Sequence, residues 1–420
     1  MRCKDSVSYP LDNSAIIHLA ARRKNYTNGF RIVITLKEPV CAEILQKAVI
    51  RITLRFPTII AGIRPGFFQY HVVPCTVPPR VRKEEACLSP MTDEEIKNCA
   101  FRVLYCGNRI ITEYFHSLTD GYGGMTVANT LAAEYLCLKY AVSVPGTEMI
   151  LDVDAPASKE ELTDDYFTYA GRKAGAPKAK NVYQLPGQPS SPWRVQATTG
   201  VYEAEQIVNA AHHYGVSVTT LLAAVMMSSV IEIQKRHQTA GQRQKPTQIM
   251  IPVNLRNIFQ SRSLRNFSLY ALPCIEAQDE NMAFEKMAEN IGAQIARQTT
   301  KDSMAAALAM NTKAQRFPLY RFLPLPLKLL ILRAAHQLFG ENNSCISLSN
   351  LGQILPPENM REYIERVDFV LTPRIQSPYN CGVVSVGGTM SITFSRCCPE
   401  PELEEVFFEK LERAIQIRRK

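Results

Sequence analysis

Apolar and polar residues follow the periods of strands and helices along the first half of the chain. The run Phe30–Leu36, FRIVITL, has the alternation and β-branched content of a strand. Residues 40–55 place apolar side chains three or four positions apart, as on one face of an amphipathic helix. Two apolar runs, 102–106 and 109–115, flank Gly107-Asn108 and predict a β-hairpin. Strands and helices in this succession predict an α/β fold.

The second half of the chain shows similar patterns after a change in composition. Residues 152–191 pass from acidic to small residues and then to Pro and Gly, which predicts a linker or crossover. Beyond it, residues 204–213 and 218–234 have the spacing of two helices. Residues 381–395 have strand composition around a Gly-Gly turn, and residues 402–418 predict a final helix.

Length and cysteine content limit the possible classes of protein. The chain has 420 residues, 46% of them hydrophobic, and single cores rarely grow beyond roughly 250–300 residues. We therefore expect two subdomains, over residues 1–180 and 181–420. The 12 cysteines show neither Cys-x-x-Cys nor Cys/His ligand spacing, so we expect reduced thiols and no metal site. Residues 1–5 lack a signal-peptide pattern, and we expect a cytoplasmic protein.

The chain is basic, with a formal net charge of +9. Such a charge can favour nucleic acid, anionic lipid or a phosphate-bearing ligand. The sequence contains no run of five or more Lys and Arg residues and no nucleic-acid recognition motif. We therefore expect no nucleic-acid partner, and a phosphate-bearing small molecule remains compatible with the charge.

A histidine and an aspartate lie four residues apart where the second strand of the predicted hairpin ends. His116 follows the apolar Phe115, and Asp120 precedes Gly121 and a predicted helix over residues 125–140. A strand end places a titratable side chain beside a loop, where functional residues concentrate. The same positions also suit a purely structural arrangement, with His116 half-buried and Asp120 capping the helix. These residues alone leave both interpretations open.

The motif His116-x-x-x-Asp120-Gly121 resembles the HxxxDG signature of the chloramphenicol acetyltransferase-like superfamily. This superfamily includes BAHD, alcohol and polyketide-associated acyltransferases and peptide-synthetase condensation domains. Further segments resemble it in the same order along the chain: Leu11-Asp12-Asn13, Arg55-Phe56-Pro57, Pro252–Arg256, Arg265-Asn266-Phe267 and Ser349–Gly352. Many members carry a second histidine just before the catalytic one, and this chain has Phe115 there.

The resemblance implies two chloramphenicol-acetyltransferase-like subdomains, each a mixed β-sheet flanked by helices, with a channel between them. It implies that His116 is the general base of an acyl transfer that needs no covalent intermediate. Asp120 is then expected to pair with Arg256 and, with Gly121, to shape the loop rather than to orient His116. The chain has no G-x-S-x-G, His-Glu-x-x-His or Walker A motif that would indicate different chemistry.

An acyl transfer also needs donors for the developing oxyanion. Our candidate is Asn350, with Ser349 beside it. The resemblance implies acyl-CoA as co-substrate, no permanently bound cofactor, and a hydroxyl or amine of a small molecule as acceptor. We expect a monomer. A condensation-type enzyme fed by an acyl-carrier protein and a catalytically silent binding protein of the same fold remain as alternatives.

Residues 304–340 form a long apolar stretch. It does not predict a transmembrane helix, because Arg321, Pro324, Pro326 and Lys328 interrupt it. Prolines favour a bent segment with an apolar edge. A buried or lid-like helix is the favoured interpretation, and an acyl-chain pocket or a membrane-surface contact are the alternatives. An apolar edge near the channel would suit a hydrophobic acceptor.

Overall fold

The computed structural model describes residues 7–416 except 13, 23–25, 27, 176–179, 192, 240–243, 314–319, 321, 340–342 and 375–376. The strands within these residues are β1 Tyr9–Pro10, β2 Gly29–Leu36, β3 Ala61–Pro65, β4 Tyr70–Pro74, β5 Arg82–Lys83, β6 Phe101–Cys106, β7 Arg109–Phe115, β8 Gln196–Glu203, β9 Thr247–Asn254, β10 Ser268–Ala271, β11 Cys274–Ile275, β12 Ile346–Ile354, β13 Ile364–Leu371, β14 Tyr379–Val386 and β15 Thr389–Arg396.

The helices of the same residues are α1 Ile16–Ala20, α2 Ala42–Thr53, α3 Asp93–Asn98, α4 Gly121–Tyr140, α5 Lys159–Leu162, α6 Ala204–His213, α7 Val218–His237, α8 Arg256–Phe259, α9 Phe284–Gln298, α10 Lys301–Thr312, α11 Leu325–Phe339, α12 Glu358–Arg361 and α13 Glu402–Gln416. A short 3₁₀ turn spans Ala277–Asp279. Mixed sheets and flanking helices confirm the predicted α/β class.

The first sheet has the strand order β13-β2-β7-β6-β5. All eight residues of β2 are buried. Both faces of the strand are therefore shielded from solvent. On the first face, apolar side chains such as Ile32 and Ile34 join one core with residues of α2 and α4. On the second face, Arg31 forms a buried ion pair with Glu113 of β7 at 2.6 Å. β1, β4 and β3 form a separate small sheet.

The second sheet runs β10-β9-β12-β14-β15-β8, with β11 also paired to β9. Its core is a second hydrophobic cluster, which includes α7. Within the described residues, α7 is long and apolar enough to cross a membrane, but 72% of its most apolar window is buried inside the protein. Because it contacts α6, α9, α13 and β9, its apolar character is explained by burial on several sides.

The two halves of the chain share one sheet. β13 lies in the second half of the sequence but pairs antiparallel with β2, from Ile364 opposite Leu36 to Leu371 opposite Phe30. A strand donated in this way buries its apolar residues in the core of the first half. The subdomain limits 1–180 and 181–420 stay a prediction. β13 belongs to the second half of the sequence but to the sheet of the first half, so a single boundary in the chain does not describe where it lies.

Several predicted elements are confirmed with small shifts of their ends. The helix expected over 125–140 begins at Gly121, because the Asp120 side chain accepts a hydrogen bond from the Gly123 N–H (3.2 Å) and caps it. The hairpin expected over 381–395 is β14 and β15. In the apolar stretch 304–340, α10 ends at Thr312 and α11 begins at Leu325, and residues 314–319, 321 and 340 lie outside the described residues.

Candidate active site

His116 lies in the turn that follows β7, and hydrogen bonds fix its backbone from two sides. Its N–H donates to the carbonyl oxygen of Asn28 at 3.0 Å. Its own carbonyl oxygen accepts a hydrogen bond from the side-chain amide of Asn266 at 3.0 Å. Asn28 precedes β2 and Asn266 precedes β10, so strands from both sheets position this one residue.

The imidazole of His116 is packed between aromatic rings. The ring of His18, on α1, stacks on it with 4.3 Å between centroids and 14° between planes. Phe30 meets it edge-on at 5.3 Å. Asn28 Nδ2 donates to His18 Nδ1 at 2.7 Å and so fixes the stacking ring. His116 Nδ1 is buried without a hydrogen-bond partner among the described residues, although the residue as a whole is partly exposed.

Burial has an electrostatic consequence for this ring. Removing the ring from water penalises the charged imidazolium, so the pKa of His116 is lowered from its ordinary value near 6.5. The negative charge of Asp120 opposes part of the shift. The neutral form, which can accept a proton, is therefore favoured at neutral pH.

The carboxylate of Asp120 is fully engaged with groups other than the His116 ring. One oxygen, Oδ2, accepts hydrogen bonds from Arg256 NH1 and from the Phe267 N–H, both at 2.8 Å. The other oxygen accepts the helix-capping bond from Gly123. The expected contact between Asp120 and Arg256 is therefore present, and Asp120 is positioned to hold the loop.

Arg256 links residues 263–265 to the loop that contains Asp120. It is 4% exposed, and its remaining guanidinium nitrogens donate to the carbonyl oxygens of Ser263 and Arg265, both at 2.6 Å. Its charge also lies over the ring of Tyr122, 4.6 Å from the centroid. A buried guanidinium with its donors satisfied is a rigid support.

Close packing explains the glycines after Asp120. A Cβ at Gly121 would lie 2.6 Å from Leu351 Cδ2, and one at Gly123 would lie 2.4 Å from the Leu264 carbonyl oxygen. Real Cβ atoms do not approach other atoms so closely, so these contacts exist because no side chain is present. The turn containing His116 thus meets residues 263–265 and the β12 segment directly.

The structure brings the Ser349–Gly352 segment to this turn through Leu351, while the Asn350 amide is used elsewhere. Asn350 Nδ2 donates to Thr219 Oγ1 at the start of α7 (3.0 Å), and its Oδ1 accepts from the Gly352 N–H (2.8 Å). Ser349 is buried, with 8% exposure. The assignment of Asn350 to the oxyanion stays a prediction.

Other residues of the site carried no recognisable signal in the sequence. His18 and Asn28 are isolated residues, and only the folded chain brings them to His116. Asp12 lay in a segment that resembles the superfamily, but nothing indicated its role. Its carboxylate is buried, pairs with Arg265 and accepts from the Asn266 N–H at 3.2 Å. Asp12 thus helps to place the amide that holds the His116 carbonyl.

Comparison with known proteins identifies the fold. No protein-family profile matches the chain. An uncharacterised protein of Mycobacterium tuberculosis, Rv2305, is 25% identical over 296 residues, which is 69% of this chain and 67% of that protein. Polyketide synthase associated protein 5 of M. tuberculosis has a similar structure, with a TM-score of 0.59 and 15% identity over 97% of this chain and 98% of that chain.

A second solved structure is TRI101 of F. sporotrichioides complexed with coenzyme A and T-2. Its TM-score is 0.63 at 12% identity, over 97% of each chain. At such low identities the similarity concerns the fold. The chain therefore has the condensation-domain-like acyltransferase fold that the HxxxDG resemblance implied, and the predicted two-subdomain architecture is confirmed. The roles of its individual site residues stay predictions.

Proposed function

We propose that the chain is an acyltransferase that moves an acyl group from a CoA thioester to a hydroxyl or amine of a hydrophobic acceptor, with His116 as general base. One observation carries the proposal. A histidine whose pKa is lowered by burial lies at a strand end, held by strands of both sheets, in a loop locked by the Asp120–Arg256 pair. The complex of TRI101 with coenzyme A supports a CoA donor for this fold.

The proton transfers balance without any further group. The neutral imidazole of His116 takes the proton of the acceptor while the acceptor oxygen or nitrogen attacks the thioester carbonyl. The tetrahedral intermediate then collapses, the carbon–sulfur bond breaks, and the imidazolium returns the proton to the departing thiolate. Because Nδ1 is buried while the residue is partly exposed, we assign this proton transfer to Nε2.

Two alternatives to this function are distinguished by measuring acyl transfer from acyl-CoA and from an acylated carrier protein. A carrier-protein-dependent enzyme would use an acyl thioester on a carrier protein in place of acyl-CoA. The name of one similar structure, polyketide synthase associated protein 5, supports testing that donor too. A silent binding protein would transfer acyl groups from neither. We also propose a cytoplasmic monomer.

Replacement of His116 tests the proposal. His116→Ala should lower turnover of acyl-CoA with an alcohol panel by about 10²- to 10⁴-fold, the usual contribution of a positioned acid–base group. The matched control is His212→Ala, because His212 is exposed on α6. Near-wild-type turnover in the His116 variant, with folding intact by circular dichroism, would refute the mechanism.

The pH dependence provides an independent test. Since burial lowers the pKa of His116, the imidazole becomes competent as its proton leaves. The specificity constant should therefore rise with pH through one ionisation below 6.5 and then level off. The small residual rate of His116→Ala should lack this rise. A rise centred well above 6.5 would assign the ionisation to another group.

A further inference from the structure

A cluster of large apolar side chains is exposed at one place on the surface. It combines the tip of the β3–β4 hairpin with Phe322, three residues before α11, and with the first turns of α11, and we call it the hairpin–helix patch. Its members and their exposed fractions are Phe67 (72%), Phe68 (39%), Phe322 (70%), Leu327 (48%), Leu330 (64%) and Ile331 (52%). A contiguous apolar surface of this kind marks an interaction site more often than single exposed residues do.

Specific contacts hold the patch together. The Leu325 N–H donates to the Phe67 carbonyl oxygen at 3.0 Å, and Lys328 Nζ donates to the Phe68 carbonyl oxygen at 2.8 Å. The ring of Phe68 meets that of Phe67 at 4.7 Å and that of Phe322 at 6.1 Å, both edge to face. Hairpin and helix therefore present their apolar side chains as one built surface.

The two elements of the patch carry basic and no acidic side chains, while helix α3, which packs on β3, begins with Asp93, whose carboxylate pairs with Arg22. Residues 44–83, which contain the hairpin, and residues 303–340, which contain α11, include no Asp or Glu. Arg64 and Arg333 are exposed cations on the two elements. The chain has 39 Asp and Glu residues in all, so the absence of acidic residues from both segments is unusual for this sequence. An apolar surface whose own hairpin and helix carry cations and no carboxylates is complementary to an anionic lipid headgroup layer.

We propose that the hairpin–helix patch docks on the surface of an anionic phospholipid bilayer, with the aromatic and leucine side chains entering the headgroup region. A second copy of the chain is disfavoured as occupant, because Arg64 and Arg333 of one copy would face the same cations of the other. This inference is independent of the proposed acyl transfer, since it rests on residues outside the His116 loop. It selects the membrane-surface contact among the interpretations of residues 304–340.

Vesicle binding by the full chain tests the proposal. The protein should co-sediment with vesicles of phosphatidylcholine and phosphatidylglycerol more strongly than with phosphatidylcholine alone, and added salt should weaken the binding. Replacing Leu330 and Ile331 together with Gln should lower the partition coefficient by about tenfold or more, because two apolar side chains no longer enter the lipid. Leu54→Gln is the matched control, since Leu54 is 77% exposed outside the patch.

The position of the lipid contact is tested with one indole. Trp193 is the single Trp of the chain, so Trp193→Phe combined with Phe322→Trp places the fluorophore in the patch. Brominated lipid in anionic vesicles should quench this indole but not the native Trp193. Absence of binding to anionic vesicles, equal loss in the Leu54 variant, or unquenched fluorescence would each overturn the proposal. A dimer by light scattering that the Leu330/Ile331 change dissolves would assign the patch to self-association instead.

Discussion

The ion pair between Asp120 and Arg256 offers the sharpest test of how the site is held. Asp120→Asn keeps the size of the side chain and a good helix cap, since Asn and Asp cap helices about equally well. It removes the negative charge that faces a guanidinium only 4% exposed. Whichever way the Asn amide turns, its NH₂ group faces a donor, because Arg256, Phe267 and Gly123 all donate to this carboxylate.

The size of the effect follows from burial. Losing one partner of a buried ion pair costs about 3–5 kcal/mol, because the other charge is left uncompensated. One unsatisfied backbone N–H contributes about 1–3 kcal/mol of this. We therefore expect Asp120→Asn to lower the free energy of unfolding by about 3–5 kcal/mol. Asp154→Asn is the control: Asp154 pairs with Arg51 at 3.2 Å but is 79% exposed, and exposed pairs contribute about 0–1 kcal/mol.

A double-mutant cycle separates the pair from other effects. Arg256→Met removes the guanidinium, and the double variant Asp120→Asn/Arg256→Met contains neither charge. If the two residues act through each other, the double variant should be clearly more stable than the sum of the single losses predicts. The assay is urea unfolding of all four proteins, followed by both far-UV circular dichroism and fluorescence, because a chain of this size need not unfold in two states.

Turnover distinguishes support from chemistry. Asp120 touches the loop and not the His116 ring, so the ionisation seen in the pH profile should persist in Asp120→Asn while turnover falls. Additive losses in the cycle, within about 0.5 kcal/mol, would show that Asp120 and Arg256 are not coupled. Loss of the ionisation itself would instead place Asp120 in direct contact with the base during catalysis.

Three further results are expected. His18→Leu should lower turnover by removing the stacked ring, His18→Phe should restore most of it, and equal rates in both variants would deny His18 a positioning role. Gly123→Ala should destabilise the protein because its Cβ would clash with Leu264 O, whereas Gly292→Ala in helix α9, with nearest contacts at 3.4 Å, should stabilise it by about 0.5–1 kcal/mol in thermal unfolding. In a chain-length series of acceptors and acyl-CoA donors, each added methylene should contribute about 0.8 kcal/mol until the pocket is full, and flat specificity constants would reject a hydrophobic substrate.

Local signals were sufficient to predict much of the secondary structure. The helix over 204–213 has the predicted bounds, and the hairpin before His116 is β6 and β7. These elements follow from periodicity and turn residues that lie next to each other in sequence. The start of α4 was predicted four residues late, because apolar spacing begins at Met125 while the cap at Asp120 sets the actual start.

Long-range pairings were beyond the reach of sequence patterns. β13 has the composition of any buried strand, and its place beside β2 depends on the packing of the whole chain. The same is true of His18, because a lone histidine on a five-residue helix has no period or motif to mark it. Asp120 and Arg256 were paired in advance only through the resemblance to the HxxxDG superfamily. Contacts between distant segments therefore required either a known relative or the structure.

The position of α1 connects the lipid-docking proposal to the proposed chemistry. On one side, Arg333 of α11 donates to the Ala20 carbonyl oxygen of α1 at 3.3 Å. On the other, His18 of the same helix stacks on His116. One short helix thus lies between Arg333 of α11 and the proposed base. The two proposals nevertheless fail separately: the Leu330/Ile331 change should lower vesicle binding while turnover of a water-soluble acceptor remains, and His116→Ala should do the reverse.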